Sequence, residues 1–523
     1  MKRLFLTFSA RSLPAFILML GIQTSHAGSA AWKASPASGD WNTPTNWRPQ
    51  TVPNGPSDIA TFAGSDTTSV SFSANTEVNG IAFNPGASAF TITVASTLTL
   101  TISGAGIGNN SGLAQNFVTI SDIKAGLSFI RFFGNSTAGN GDFYNSGRIS
   151  FSDASNAANG TFFTNNGTVN CEPCAGSVGF ADTSDAGNGT FTTAGADTTD
   201  GSPGVAFFIG TSSAGNGTFT CSPGQEGGAG GLVRFAQASS AANATLIANG
   251  GSNGDGGGSI QFFDDSSGGQ ARAKVFGNGF LDIRSHNAPG VSIGSIQGSG
   301  LVFLGARNLT VGSNNRSTSF FGLIQDGGQF GAGSLTKLGT GTLVLLNSNA
   351  YSGGTTISGG ALVVDNESGS GTGSGPVQVN AGRLGGRGII AGEVTVGDSS
   401  GRAAILSPGK SANSRGTLII ESMLAFNSDG TFKFELNSHT RNVDEVIANG
   451  VTINNGAQFS FADVGNSMLP HGIVFTPISN TSPTPIAGTF SNLPDGATFS
   501  SNGNTYQVSY EGGDGNDLTL TVQ

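Results

Sequence analysis

The chain has 523 residues, of which 84 are glycine and only 10% are charged, and its formal net charge is −10. A typical globular protein has about 25% charged residues, and this scarcity of charged and long side chains excludes helical bundles and coiled coils. The negative charge argues against nonspecific binding to nucleic acid or to an anionic membrane. The Gly-rich composition, with 37 Phe against 4 Tyr, predicts an all-β protein of many short strands joined by tight turns.

Residues 1–27 have the features of a secretory signal peptide. Three basic residues in the first eleven precede an apolar stretch over residues 13–22, which is too short to span a bilayer. Small residues at the positions that a signal peptidase reads predict cleavage after Ala27, and an uncleaved anchor is the alternative. The mature chain would then begin at Gly28. It contains no run of 18 apolar residues, so we expect no membrane span in it.

We divide the mature chain into four segments. Residues 28–126 are expected to form an N-terminal cap and the first coils of a solenoid, and residues 127–285 form a repeat region. Residues 286–460 are expected to continue the solenoid, and residues 461–523 to cap its C-terminal end. The repeat region is the basis for this division, since repeats identify architectures whose units cannot fold alone.

Six units in residues 127–285 share the pattern F-x3-S-x-A-x-N-x2-F, which decays in the last copy. The first Phe of the six units is Phe132, Phe151, Phe180, Phe208, Phe235 and Phe262. One unit cannot bury its own Phe, but stacked units place Phe upon Phe in a continuous core. The Asn is expected to tolerate φ > 0 in a tight turn and to bond to the next copy in an amide ladder. The predicted fold is an all-β, right-handed parallel β-helix of about 20 coils spaced ~4.8 Å apart.

The spacing of the repeats predicts stacked loops. Successive Phe residues are separated by 19, 29, 28, 27 and 27 residues, so a minimal coil needs 19 residues and four units carry 8 to 10 extra. The extra residues lie in one phase, just after the second strand, near Cys171–Gly176, Ala196–Pro203, Pro223–Gly231 and Gly250–Gly258. Such loops would stack on one side of the solenoid, often the binding side. Alternatively, each longer unit holds a coil and a half.

The chain has three cysteines, and two of them, Cys171 and Cys174, have the C-x-x-C spacing of redox and zinc sites. A zinc site needs four ligands, and Cys221 is the one other cysteine. A redox motif would stand at a helix start in a thioredoxin-like context, which the sequence lacks. We therefore favour a small loop disulfide between Cys171 and Cys174, as suits an exported protein.

Residues 334–362 contain glycines, threonines and leucines at fixed spacings. They follow the pattern L-T-K-x-G-x-G-T-L and then N-x-Y-x-G-G-T with a later glycine. The residues that fit are Leu335, Thr336, Lys337, Gly339, Gly341, Thr342, Leu343, Asn349, Tyr351, Gly353, Gly354, Thr355 and Gly360. This pattern closely resembles the autotransporter-associated β-strand repeat. The resemblance implies a passenger-type β-helix that is exported and displayed at the cell surface.

Both ends of the mature chain also resemble such proteins. The start, from Trp32 to Phe62, is similar to the opening of exported β-helix proteins, and the end, from Gly488 to Val522, is similar to their terminal segment. The sequence stops at Gln523 directly after that segment, without the C-terminal strands of a translocator barrel. We therefore expect separate export machinery, retention in the periplasm, or a barrel encoded at another locus.

Two aspartates in the repeats are candidates for chemistry. Asp153 and Asp182 each stand two residues after the Phe of neighbouring units. Stacked carboxylates could hold a cation or act as an acid–base pair. Three other units have Gly134, Gly210 and Gln237 at this position, so we favour a solvated turn position.

The remaining candidates are weaker. Residues 512–517 resemble one calcium-binding nonapeptide, but such sites form between stacked copies, and we interpret the segment as a turn into the last strand. His286, His439 and His471 stand apart from any Ser or Cys motif and are interpreted as surface or packing residues. The sequence therefore predicts no catalytic, cofactor-binding or metal-binding residues.

The sequence favours a structural and adhesive role for a secreted or cell-surface protein, with the periplasm as another location. Its partners would be extracellular glycans, matrix or cell surfaces, met by the stacked-loop face. A polysaccharide lyase or hydrolase on the same scaffold is the alternative. It would need a cleft where two or more carboxylates and a Lys or Arg converge, and the sequence offers no dense candidate. A passenger separated from its barrel is a third interpretation.

Overall fold

The computed structural model describes residues 28–122, 124–165, 175–328, 331–410 and 415–523. Within these ranges the chain forms 44 strands and one short 3-10 turn, Pro44–Asn46. The strands wind into about 16 stacked turns, fewer than the about 20 that strand spacing and chain length predicted. The prediction of an all-β parallel solenoid is confirmed. The predictions for residues 1–27, Cys171 and Cys174 lie outside the described residues.

The N-terminal end of the solenoid is closed by tryptophans. The first eight strands are β1 (Ala30–Trp32), β2 (Trp47–Arg48), β3 (Gly55–Phe62), β4 (Ser69–Ser71), β5 (Thr76–Phe83), β6 (Thr91–Val94), β7 (Thr99–Asn109) and β8 (Asn116–Thr119). The Trp47 ring lies 5.0 Å from that of Trp32 and 4.9 Å from that of Trp41, and all three pack against Phe62. Because β2 pairs antiparallel with β1, parallel stacking ends here.

Each unit of the repeat region forms one coil with two strands. The strands are β9 (Phe129–Phe132), β10 (Asp142–Asn145), β11 (Arg148–Phe151), β12 (Thr161–Thr164), β13 (Ser177–Phe180), β14 (Thr190–Thr193), β15 (Val205–Phe208), β16 (Thr218–Cys221), β17 (Leu232–Phe235), β18 (Thr245–Ala248), β19 (Ser259–Phe262), β20 (Gly268–Val275) and β21 (Phe280–Asp282). The odd-numbered strands belong to a 14-stranded sheet, here sheet A, and the even-numbered strands to a second sheet, sheet B. Every unit supplies one strand to each sheet, so the alternative of a coil and a half per longer unit is wrong.

Two columns of Phe fill the core of this region. In sheet A the first Phe of each unit pairs in register with the next, from Phe132 to Phe262, and neighbouring rings stack 4.6–5.0 Å apart. In sheet B the rings from Phe117 to Phe219 stack 4.5–5.0 Å apart. The columns meet edge to face, as at Phe180 and Phe191, where the planes are 80° apart. The predicted Phe stack is confirmed.

The Ser of the repeat satisfies buried carbonyl groups in the turn between the two strands. The Ser184 hydroxyl lies 2.7 Å from the Ala181 carbonyl oxygen and 3.2 Å from the carbonyl oxygen of Phe151 in the preceding coil. Ser155, Ser212 and Ser239 repeat this pair of contacts. Because an unpaired buried carbonyl is costly, this position needs a small hydroxyl side chain.

The Asn of the repeat forms the predicted amide ladder. Each side-chain NH2 donates to the side-chain oxygen of the preceding copy at 3.2 Å, in a chain that joins Asn159, Asn188, Asn216 and Asn243. The left-handed backbone, however, belongs to the residue before each Asn, such as Ala158 with φ 51°. The prediction that the Asn itself takes φ > 0 is therefore wrong. Its amide oxygen and NH2 groups instead bridge coils along the turn.

Beyond the repeats, the core changes from aromatic to aliphatic. The strands here are β22 (Gly290–Gly298), β23 (Leu301–Phe303), β24 (Asn308–Val311), β25 (Thr318–Phe320), β26 (Leu323–Gln325), β27 (Ser334–Lys337), β28 (Thr342–Leu345), β29 (Thr355–Val364), β30 (Val377–Gly386), β31 (Ile389–Ile390), β32 (Val394–Val396), β33 (Ala404–Leu406), β34 (Thr417–Ile420), β35 (Leu424–Phe426), β36 (Gly430–Asn437), β37 (Asn442–Val443), β38 (Glu445–Ala448), β39 (Val451–Ile453) and β40 (Gln458–Asp463). Leu343, Leu362, Leu384 and Leu406 pair in register along sheet B. Stacked leucines replace stacked phenylalanines here, while the parallel winding is unchanged.

The last four strands pair with one another in antiparallel fashion. They are β41 (Val474–Asn480), β42 (Thr498–Ser501), β43 (Asn504–Gly512) and β44 (Asp517–Val522). β41 also pairs parallel with β38. β44 pairs antiparallel with both β41 and β43, and β42 pairs antiparallel with β43. These strands form one side of a seven-stranded sheet, sheet C, whose other strands are β31, β34 and β38. Parallel stacking therefore stops at β41.

Candidate functional site

In the four longer units, a backbone hydrogen bond joins the two residues between which the extra residues are inserted. In each unit the glycine before the sheet A strand donates its N–H to the carbonyl of the residue that follows the sheet B strand, at 2.8–2.9 Å. The four donor–acceptor pairs are Gly176 with Asn165, Gly204 with Ala194, Gly231 with Ser222 and Gly258 with Asn249. The three inserts that the structure describes in full, within residues 194–204, 222–231 and 249–258, therefore leave the solenoid wall and return to it at one point. For these three inserts the prediction of loops in one phase is confirmed, and most of the first insert, near Cys171–Gly176, lies outside the described residues.

The inserts stack on one another through their backbones. Gly224 N–H donates to the Gly256 carbonyl at 2.8 Å, and Gly256 N–H donates to the Gly228 carbonyl at 2.8 Å. A Cβ at Gly230 would overlap the Gly257 carbonyl, so these chains pack backbone against backbone. We call the residues 194–204, 222–231 and 249–258 the insert layer. The layer is a hydrogen-bonded slab along one edge of the solenoid rather than a set of separate loops.

The insert layer is acidic. Its exposed side chains include Asp197, Asp200 and Glu226, and the half-buried Asp255 accepts the Gly227 N–H at 2.8 Å. The three ranges that define the layer contain no Lys or Arg. The layer thus presents carboxylates and backbone amides to solvent, and this chemistry suits neutral or basic surfaces.

Asp153 and Asp182 lie in adjacent turns, and both have left-handed backbones with φ 56° and 54°. The Asp153 carboxylate accepts the Gly134 N–H at 3.0 Å, and the Asp182 carboxylate accepts the Asp153 N–H at 3.1 Å. Each carboxylate therefore bonds to the same position of the preceding coil. Gln237 bonds to Gly210 N–H in the same way at 2.7 Å, which explains why an amide can replace the acid. Asp153 and Asp182 therefore stabilise the turns between coils, as expected for a turn position.

The remaining sequence candidates also have structural contacts. Residues 513–516 connect β43 to β44, and Asp517 accepts the Asn480 N–H at 2.8 Å. His286 is buried, with its ring nitrogens 2.7 Å from the carbonyl oxygens of Asn287 and Ser266. His439 and His471 are exposed. Within the described ranges no group of three or more His, Cys, Asp or Glu residues is placed to hold a metal ion.

The third cysteine, Cys221, lies inside the core. It is fully buried at the end of β16 and carries a free thiol. Burial raises the pKa of this thiol to about 12. Because the thiolate is the reactive form, Cys221 acts as a small apolar core residue rather than as a nucleophile.

Motif residues of 334–362 make contacts within the solenoid, between neighbouring strands and coils. β27 and β28 lie in one coil, separated by a bend, and the long β29 of the next coil pairs with both. The Lys337 side chain is buried at the bend, and its Nζ donates to the carbonyl oxygens of Leu338 at 2.7 Å and Gly359 at 3.3 Å. Burial lowers the pKa of this amine to about 8. The lysine of the motif therefore ties two coils together at the bend.

Tyr351 and Asn349 complete this module. The buried Tyr351 hydroxyl lies 2.6 Å from the Thr355 hydroxyl. The Asn349 side chain accepts the Ile324 N–H at 2.8 Å and donates to the Gly371 carbonyl at 2.6 Å, so it spans three coils. The motif is thus an architectural element of the solenoid and offers little of its polar chemistry to a ligand.

The structure reveals a buried cluster of charged residues around Glu435 and Asp444 that the sequence did not indicate. Glu435 in β36 and Asp444 beside β38 are 1% and 0% exposed. Asp444 accepts the N–H groups of Gly416 and Glu435 at 3.2 Å, and Lys433 Nζ lies 2.6 Å from a Glu435 carboxylate oxygen. Burial, together with the nearby Glu435 charge, raises the pKa of Asp444 to about 7, while Arg415 opposes the rise. Lys433 and Glu435 belong to β36, Asp444 lies between β37 and β38, and Arg415 precedes β34. Because these segments are separate in the chain, no local sequence pattern indicated the cluster.

This cluster has the residue types of a polysaccharide-cleaving site, but its geometry differs. Paired carboxylates with cationic neighbours can act as acid and base. Here both Asp444 oxygens accept backbone N–H groups, and Glu435 and Asp444 stand next to the antiparallel pairing of β36 with β37. A polymer cannot reach side chains that are 0–1% exposed. The buried hydrogen bonds of Asp444 to Gly416 and Glu435, with the Lys433–Glu435 ion pair, instead stabilise the β36–β37 hairpin against the segment before β34.

Comparison with known proteins agrees with this architecture. Residues 335–364 match the passenger-associated-transport-repeat family, and this range contains the Lys337 bend and all of β29. The fold and this repeat together define a passenger-type β-solenoid of the kind found in autotransporters. The predicted resemblance, made over residues 334–362, is therefore confirmed.

Part of the chain is similar to a curated adhesin. It is 37% identical over 123 residues to the protein named adhesin BmaC autotransporter from Brucella suis biovar 1 (strain 1330). The aligned region is 22% of this chain and 3% of that protein, so the chain spans only a small part of the relative's length. In the part of the chain that the structure describes, no helix is both long and apolar enough to cross a membrane.

Proposed function

We propose that this protein is an exported structural adhesin that binds extracellular surfaces through its insert layer. The observation that carries the proposal is the slab of stacked inserts, which extends the solenoid on one edge without adding to its core. Gly-rich backbone has almost no apolar surface to bury, so stability alone does not account for four inserts in one phase. Similarity to a protein named as an adhesin supports an adhesive role.

The exposed groups of the insert layer indicate which classes of partner it can bind. Its carboxylates at Asp197, Asp200 and Glu226 are exposed, so polyanions would be repelled. Neutral glycans or basic matrix proteins could instead meet its backbone amides and side-chain oxygens. The lyase or hydrolase alternative has less support, because the carboxylates of the Glu435–Asp444 cluster are buried.

The 19-residue unit supplies the design for a test. In that unit Ser146 and Gly147 alone connect β10 to β11. Deleting residues 250–257 joins Asn249 to Gly258 and leaves an equivalent two-residue connection between β18 and β19. Loop closure depends only weakly on length, so we expect stability to change by about 1 kcal/mol. Circular dichroism should show an unchanged β-sheet spectrum.

Adhesion is then measured for the mature protein on an array of neutral and acidic glycans and on immobilised matrix proteins. The deletion variant should lose binding to whichever neutral or basic surface retains the wild-type protein. Phe163→Ser, an exposed position on the outer face of sheet B, is the matched control and should bind normally. Unchanged adhesion by a folded deletion variant would exclude residues 250–257 from the adhesive surface, and unchanged adhesion by a folded variant that also lacks residues 195–203 and 223–230 would exclude the whole insert layer. A wild-type protein that adheres to no surface on the array would refute the adhesive role.

A further inference from the structure

Two arginines lie on neighbouring coils at the outer face of sheet A, and neither has an acidic partner among the described residues. Arg131 in β9 and Arg148 in β11 point away from the core, since the residues beside them in each strand are buried. The strands are adjacent and in register, with Arg131 opposite Ser150 and Arg148 opposite Phe129. Neither arginine is among the ion pairs of the described residues. Two guanidinium groups on neighbouring coils of a chain with net charge −10 are thus available to an external anion.

Both guanidinium groups rest on aromatic rings. The Arg131 Cζ atom lies 4.8 Å from the centre of the Phe129 ring, and the Arg148 Cζ atom lies 5.2 Å from the centre of the Phe207 ring. Cation–π contacts of this kind hold a long side chain in place while leaving its N–H groups free. The arginines are therefore ordered before a ligand arrives, which lowers the entropy cost of binding.

A glycine makes room for this arrangement. Gly179 in β13 lies in register with Phe207 in β15, and a Cβ at Gly179 would overlap the Phe207 ring. The ring therefore lies across Gly179 and reaches back to Arg148, two coils away. The result is a groove of about 250 Å³ whose walls include Phe133 and Ile209. We call the set of Phe129, Arg131, Arg148, Gly179 and Phe207 the Arg–Phe groove.

The acidic residues near the groove either accept backbone N–H groups in the adjoining turn or lie two coils away from the arginine in the same column. Asp153 and Asp182 stand in the adjoining turn, and their carboxylates accept backbone N–H groups of the preceding coils. Glu77 lies in the same column as Arg131 but two coils towards the N-terminus. The groove itself therefore combines positive charge with aromatic surface.

We propose that the Arg–Phe groove binds acidic polysaccharides that carry uronate carboxylates. A carboxylate matches the planar guanidinium fork and can accept two N–H groups at once. Phe129 and Phe207 carry the guanidinium groups, so the C–H face of a sugar ring would pack on Phe133 in the groove wall. The lining residues come from β9, β11, β13 and β15 and the turns after them, so the groove extends over neighbouring coils, as binding of a linear polymer requires. The proposal rests on the proposed adhesive role outside the cell. It assigns a second surface, however, because the insert layer is acidic and would repel the same polymer.

The test measures binding of a galacturonate hexamer to the mature protein by isothermal titration calorimetry. The fully methyl-esterified hexamer is the matched uncharged ligand. We expect the acid form to bind, its affinity to fall with added salt, and the ester to bind at least tenfold more weakly, in line with about one charge-assisted contact per arginine. R131Q and R148Q should each lower the affinity about tenfold. R316Q removes an exposed arginine from a turn outside the groove and should have no effect.

Three results would overturn the proposal: equal binding of acid and ester, no binding of the acid at millimolar concentration, or unchanged binding by the R131Q/R148Q double variant. Tighter binding to vesicles of phosphatidylglycerol than to the hexamer would also overturn it, in favour of a membrane surface. The variant lacking residues 250–257 should keep its uronate affinity, and R148Q should keep adhesion through the insert layer. Failure of this proposal is therefore distinguishable from failure of the insert-layer proposal.

Discussion

Truncation of Phe180 to Ala tests whether the stacked rings hold the solenoid together. Phe180 is 0% exposed, and its ring stacks on those of Phe151 at 4.8 Å and Phe208 at 4.6 Å, with Phe191 edge-on at 5.7 Å. Removing a buried Phe costs about 3–5 kcal/mol, and each aromatic pair contributes about 0.5–1.5 kcal/mol beyond buried area. Because the truncation deprives all three neighbouring rings of their partner, we expect a cost at the upper end, about 5 kcal/mol.

Denaturation in urea followed by circular dichroism measures this cost, and hydrogen exchange locates it. Because each coil contacts only its neighbours, exchange should rise in β13 and β14 and in the coils beside them. Phe180→Leu keeps most of the apolar volume and should cost less than half as much. Phe163→Ala, at a ring that is 38% exposed, should cost less than about 1 kcal/mol. Equal effects of the Phe180→Ala and Phe163→Ala changes would refute the view that the ring columns are the core.

Three further predictions concern single residues. The raised pKa of Asp444, near 7, means that folding disfavours its charged form. The free energy of unfolding should therefore fall by at most about 4 kcal/mol as pH rises from 4 to 7, and Asp444→Asn should flatten this slope in urea titrations at several pH values. Gly231→Ala places a Cβ against the Thr193 carbonyl, so it should lower the thermal midpoint, whereas Ala229→Ser at an exposed position should not. Cys221, whose thiol pKa is raised to about 12 by burial, should react with a thiol reagent in urea but not in the native protein. The chain also has Cys171 and Cys174, so peptide mapping locates the label, and modification of Cys221 in the native protein at pH 8 would show that the core opens.

The repeat pattern predicted the fold because each repeated residue contacts its own equivalent in the next coil. The spacing of the Phe residues indicated their register, and the Asn ladder followed from the same alignment. The small size of Ser184 and its equivalents was visible in the pattern, but its bonds to two carbonyls required the path of the turn. The prediction of φ > 0 at Asn159 was wrong by one residue, because Asn preference for turns does not specify which turn position it occupies.

The surfaces were less predictable than the core. The inserts were identified from spacing, yet the neck at Asn249 and Gly258 and the stacking of insert upon insert depend on backbone contacts between coils. The Arg–Phe groove joins Arg148 to a ring 59 positions later in the chain, across Gly179. The Glu435–Asp444 cluster likewise draws on Gly416 and Arg415 from a different coil. The periodicity of the sequence predicts the contacts that recur in every coil. It does not predict these sites, because each depends on residues that occur in only one or two coils.

The in-register column from Phe132 to Phe262 has a consequence for the two ends of the molecule. In cross-β fibrils, identical side chains from many chains stack on one another at the spacing between strands. In this protein the same stacking occurs between successive coils of one chain. A stack of this kind offers unpaired backbone groups to another copy at any open end. The tryptophan cluster with β2 blocks one end, and the antiparallel hairpin of β43 and β44 blocks the other. We therefore propose that these two ends act as caps that oppose end-to-end pairing of copies, and we expect a variant that lacks β43 and β44 to polymerise.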